Sequence, residues 1–191
     1  MGLRTGIRTG LIAAIVTIFL ILIGVHMLMG RLLQSWFHVP AHWPGVWLMV
    51  VLLGLWAGSR AASQMKVRSW GNALLAGASA GFAQGVLVGA ALYLLASITQ
   101  AGVDLRAWLT QMSKESIGAL TLGFAPLPAA GFIGGVLLAS AVVGAAWREW
   151  RLRVHAARLA RGERIVSLRE RLLGIPAVAQ VSSNPLSRRV L

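Results

Sequence analysis

Few side chains within the apolar part of this sequence can do chemistry, and their spacing limits what that chemistry is. Gln84 stands near the centre of a long apolar stretch. An amide at that depth needs a partner or a cavity, and an interhelical hydrogen bond meets the need more simply than a ligand. His26 lies near the outer end of the first apolar stretch, within reach of the membrane interface. His38 and His42 have the spacing of a helical metal pair, but Pro40 interrupts them and no carboxylate is near, which argues against a metal site. No aspartate or glutamate falls within any apolar stretch, although proton relays and cation sites in membranes usually depend on such groups. P-loop, Ser-x-x-Lys, His-Glu-x-x-His and Gly-x-Ser-x-Gly patterns are absent. The chain has no cysteine, which removes disulfides and thiol chemistry. These residues predict no enzyme, no cofactor and no metal, and no segment that would drive transport by ATP hydrolysis.

The elements that must position these residues are membrane spans. Of 191 residues 57% are hydrophobic and only 12% charged, about half the charged share of a soluble domain, roughly 25%. Apolar runs of about 20 residues cross the hydrocarbon as helices, and four such spans are predicted, at about 11–30, 44–62, 73–98 and 127–147. The second is the weakest, since its fully apolar part is short and Ser59 and Arg60 lie near its end. The first run is too long for the apolar region of a cleaved signal peptide, about 7–15 residues, and no small-x-small site follows it, so a retained anchor is expected.

Charge sets the expected orientation. With the N-terminus inside, fifteen of the eighteen basic residues fall inside, leaving Arg31, Arg106 and Lys114 outside. Both ends are therefore predicted in the cytoplasm, with the inner bacterial membrane as the location. Tryptophans mark both surfaces, with Trp36, Trp43 and Trp47 at the outer one and Trp56, Trp70, Trp147 and Trp150 at the inner one. The net charge of +13 does not imply nucleic acid, because aromatics are not interleaved with the basic residues as stacking platforms.

Two segments are amphipathic rather than spanning. Over 104–120, Leu105, Trp108, Leu109, Met112, Ile117 and Leu120 recur at helical spacing, opposite Arg106, Gln111, Lys114 and Glu115. Asp104 suits its N-cap. This predicts an outer amphipathic helix, either lying on the membrane surface or packed on the loops of the bundle. The second segment, 148–173, is a basic cytoplasmic helix continuing span four, in which Gly162 marks a break. His155, Gly162 and Arg169 spoil a coiled-coil seam, and Arg151, Arg158, Arg161 and Arg164 are expected to meet anionic lipid headgroups. An irregular linker with Pro176, Ser182, Ser183, Asn184 and Pro185 follows, so 148–191 is a helix and linker beside a bundle of 1–147.

Glycine supplies the clearest pattern. Gly77, Gly81, Gly85 and Gly89 are four apart and form one bare helix face, extended by Ala73 and echoed in span four by Gly131, Gly135 and Ala139. Such rows let helix backbones approach where lipid removes the hydrophobic drive for association. Spans three and four are thus expected to pack tightly on each other, a plain packing role being favoured over a partner-binding face. Pro126 and Pro128 lie at the expected start of span four and disfavour regular helix before Ala129; a helix start is preferred to a broken transport helix.

One further likeness runs through the sequence. Val103-Asp-Leu-Arg-Ala-Trp, then Ser116 to Gly123 (SIGALTLG), a proline turn and a Gly/Ala-rich span follow the Gly/Ala-rich span three. Together they resemble the four-span N-terminal extension of long bacterial M-type permeases of branched-chain amino-acid ABC transporters. The tail Asn184-Pro-Leu-Ser-Arg-Arg-Val-Leu191 is similar to the linker before the permease core of that family. The resemblance implies a peripheral role in amino-acid uptake (packing, assembly or regulation), with ABC permease and ATPase subunits as neighbours and the substrate pathway in a core outside this chain. It carries over no binding residue. Two other classes fit the same features: a stand-alone four-span scaffold recruiting a partner through its glycine face and basic tail, and a holin-like pore former.

Overall fold

The computed structural model describes residues 2–38, 43–65, 69–102 and 114–161. They form six helices and, among the described residues, no strand: α1 (Gly2–Leu22), α2 (Val25–Phe37), α3 (Trp43–Ser63), α4 (Trp70–Gln100), α5 (Lys114–Thr121) and α6 (Pro126–Ala160). Four of them, α1, α3, α4 and α6, are long and apolar enough to cross a membrane. The chain forms two units, a helical bundle over Met1–Arg151 and a second unit, Leu152–Leu191, whose described part is the end of α6 to Arg161.

The predicted spans are all present, with shifted ends. The first helix starts at Gly2, ahead of Leu11, because nothing between Arg4 and Gly10 breaks a helix and its glycines are held against α4. It also stops sooner, at Leu22. Gly24 adopts a left-handed backbone, φ 81°, and the chain restarts as α2. A residue with a Cβ is strained in that conformation, so glycine is where the turn falls. The last span begins at Pro126 rather than behind Ala129. Both prolines occupy its first turn, where a missing N–H costs nothing. At the start of α4 the Ser69 hydroxyl accepts from the Asn72 N–H at 3.2 Å, capping the helix.

Helix directions follow from the close approaches. Along α4, Gly77, Gly81, Gly85 and Gly89 meet Ala145, Leu138, Gly134 and Ala130 in turn, so α4 and α6 run antiparallel. Gly6 and Gly10 meet Ser79 and Ala80, which makes α1 parallel to α4. Gly54 meets Ser140 and Gly144 meets Leu55, which makes α3 parallel to α6. The start of α1, the end of α3, the start of α4 and the Trp147 end of the bundle therefore share one end.

The interior holds Val46, Val50, Val88, Leu92, Ile133 and Leu137, all at most 2% exposed. The outward faces are equally apolar: Ile15, Phe82, Val86 and Val143 are all more than half exposed. A bundle apolar on both its inner and outer faces is solvated by hydrocarbon rather than water.

The outer amphipathic segment turns inward where it is described. Lys114–Thr121 forms α5, and Ile117, Ala119 and Leu120 join the main core, with Leu120 fully buried. Of the two placements expected for this segment, α5 takes the one packed on the bundle, because its apolar stripe finds protein to cover it. Asp104, Leu105, Trp108, Leu109 and Met112 lie outside the described residues. So do Pro40, His42, Gly162, Arg164 and the linker beyond them.

Candidate functional site

The residues singled out from sequence meet at helix contacts. A methyl group built on Gly85 would stand 2.8 Å from the Gly134 carbonyl oxygen; on Gly81 it would stand 2.7 Å from the Leu138 Cα, and on Gly89 2.9 Å from the Ala130 carbonyl oxygen. No side chain fits at these places, so the Gly77–Gly89 row is where the α4 backbone lies on α6. The α6 side of the contact is set one register away from the expected one. It is made by Ala130, Gly134, Leu138 and Ala141, while a Cβ on Gly131 or Gly135 meets nothing within 4 Å. The placement of Gly131 and Gly135 on this face is thus corrected: Gly134 is the α6 glycine in contact with α4, while Gly131 and Gly135 line the open groove beside that contact.

Other small-residue contacts lie outside the glycine rows expected from sequence. Gly6 and Gly10 abut the Ala76 and Ala80 carbonyls, Gly54 and Gly58 abut Ser140 and Ala141, and Gly144 abuts Leu55. The signal was present, since Gly2, Gly6 and Gly10 and the pair Gly54 and Gly58 repeat the same four-residue spacing. Arg4 and Arg8 drew the first row outside the expected span, and the second lay in the stretch with the weakest apolar signal.

Gln84 is fully buried, and its Nε2 donates to the Thr17 hydroxyl at 2.9 Å, joining α4 to α1. Thr17 in turn donates to the Ala13 carbonyl at 2.7 Å. The Gln84 Oε1 has no partner among the described residues. Bonds of this kind within membranes contribute about 0.6 kcal/mol on average, so the pair fixes the register of α1 against α4 more than it adds stability. Ser79 and Ser140 turn their hydroxyls back onto carbonyls of their own helices. His26 is fully buried with neither ring nitrogen paired among the described residues. His38 is exposed at the end of α2. No three of the described His, Asp and Glu side chains converge.

The Trp47 ring lies edge-on to Phe132 at 5.3 Å, and its indole N–H is buried without a partner among the described residues. Trp36, Trp56, Trp147 and Trp150 are exposed, and Trp147 and Trp150 lie 5.0 Å apart. Arg151, Arg158 and Arg161 are exposed on α6 and just after it.

Two grooves open outward between spans. One, about 460 Å³, runs between α4 and α6 past Phe82, Gly85, Gly89, Gly131 and Gly135. The other, about 470 Å³, lies between α3 and α6 and is lined by Leu55, Trp56, Ser59, Val143, Gly144 and Trp147.

No family model, no curated protein and no solved structure matches this chain. The class rests on the structure itself: an all-helical, multi-pass membrane protein with four apolar spans packed through glycine rows.

Proposed function

We propose that the chain is a membrane-embedded accessory module with a packing or assembly role, has no complete transport pathway of its own, and serves an ABC-type amino-acid permease. The observation that carries the packing role is the closure of the interior by backbone-to-backbone contact at Gly10, Gly58, Gly85 and Gly144. A substrate path needs polar groups aimed into a cavity. The hydroxyls of Thr17, Ser79 and Ser140 are instead spent on carbonyls of their own helices. The permease assignment is supported by the sequence resemblance over Val103–Gly123 and Asn184–Leu191. The charge bias supports both ends in the cytoplasm of a bacterial cell, with the α6 arginines meeting anionic headgroups.

A second reading, a stand-alone scaffold, draws on the open α4–α6 groove with its exposed Gly131 and Gly135. Gentle detergent extraction of the tagged chain separates the two. Co-purification of ABC permease and ATPase subunits, with reduced branched-chain amino-acid uptake in a strain lacking the chain, is expected. A chain that purifies without them and leaves uptake unchanged contradicts the permease reading and leaves the scaffold.

A further inference from the structure

The two outward grooves differ in what stands at their ends. The α4–α6 groove is apolar throughout, and no charged residue occurs in either helix from Gly71 to Gln100 or from Leu127 to Trp147. The α3–α6 groove ends in cations. Its α3 wall is Leu55, Trp56 and Ser59, and Arg60 follows Trp56 by four residues, one helical turn further on. Its α6 wall is Val143, Gly144 and Trp147; Arg148 follows Gly144 by four, and Arg151 follows Trp147 by four. Because α3 and α6 run parallel, both stripes reach their arginines at the same end of the bundle. All three arginines are exposed, while Glu149, next to Arg148 in sequence, is buried.

We propose that the α3–α6 groove is a site for one anionic phospholipid. An acyl chain lies in the apolar trough lined by Leu55, Val143 and Gly144, between Trp56 and Trp147, which are 45% and 56% exposed. The phosphate sits at Arg60 and Arg148, with Arg151 completing the basic rim. The chemistry on each level matches one molecule: hydrocarbon below, amphipathic indoles at the boundary, guanidinium groups above. The volume, about 470 Å³, lies within the range of small-molecule sites, about 300–1,000 Å³. A zwitterionic lipid offers the same chain but a neutral headgroup, so charge is what selects. The inference needs only the four-span fold and is independent of the permease reading.

The test is native mass spectrometry of the full chain in neutral detergent, with phosphatidylglycerol or phosphatidylcholine of identical acyl chains. The wild type is expected to retain phosphatidylglycerol with a preference of about tenfold, since each basic residue near the surface attracts an anionic headgroup. R60Q/R148Q is expected to lose that preference. V143W, which fills the trough and keeps every arginine, is expected to lower retention of both lipids. R31Q, on α2 at the other end of the bundle, is expected to behave as wild type. Equal retention of the two lipids by the wild type overturns the proposal, as does an R31Q loss as large as that of R60Q/R148Q. Full retention by V143W overturns it as well. Each variant is first checked for helical circular dichroism and a single elution peak; should R60Q/R148Q fail there, V143W decides.

Discussion

Gly85 and Gly135 make a matched pair on which the packing account turns. They belong to the same motif, but a Cβ on Gly85 meets the Gly134 backbone, while one on Gly135 meets open space. Backbone does not yield as a flexible side chain does, so Gly85→Ala forces α4 and α6 apart and is expected to cost about 1–3 kcal/mol. Gly135→Ala gains helix propensity, up to about 1 kcal/mol, and loses no contact. Thermal unfolding in detergent is expected to lower the melting temperature for the first variant alone. Equal effects contradict the register described for this interface. The polar residues work on a smaller scale: the Gln84–Thr17 bond is weak in energy, but a one-residue slip of α1 on α4 would break it and leave a buried amide unsatisfied.

At the level of elements, the spans were legible because hydropathy and length are local properties. Their ends were not. Sequence puts the start of α1 at Leu11, since arginines look like flanks, yet Arg4 and Arg8 sit on exposed faces while Gly6, Thr9 and Gly10 beside them are buried. The turn at Gly24 left no composition signal, because glycine there is one of many. The register on α6 was equally hidden. Gly131, Gly134 and Gly135 are all candidates by type, and only the pairing with α4 selects Gly134. For α5 the periodicity was correct, and the choice between lipid and protein as its cover required the partner surface. Its Leu120 tests that choice: Leu120→Ala is expected to cost about 2–5 kcal/mol if α5 is part of the core. Gly118→Ala, with open space beside it, is expected to cost nothing and to gain up to about 1 kcal/mol of helix propensity in the same unfolding measurement. A neutral Leu120→Ala would return α5 to the membrane surface.

On the scale of the whole molecule, four spans fix the sidedness. Two helices run one way and two the other, so the start of α1 and the Trp147 end of the bundle share a face. The charge bias is the ground for the proposed cytoplasmic placement of that face. Every loop on the shared side carries basic residues.

The absence of cysteine makes the sidedness directly measurable. Single cysteines at Arg4, Ser63, Arg148, Ser35 and Gly102 are to be probed in intact cells and after lysis with a membrane-impermeant maleimide. Labelling of Ser35→Cys and Gly102→Cys is expected in intact cells, and of Arg4→Cys, Ser63→Cys and Arg148→Cys only after lysis. Labelling of Arg4→Cys and Arg148→Cys from opposite sides of the membrane would contradict the four-span bundle.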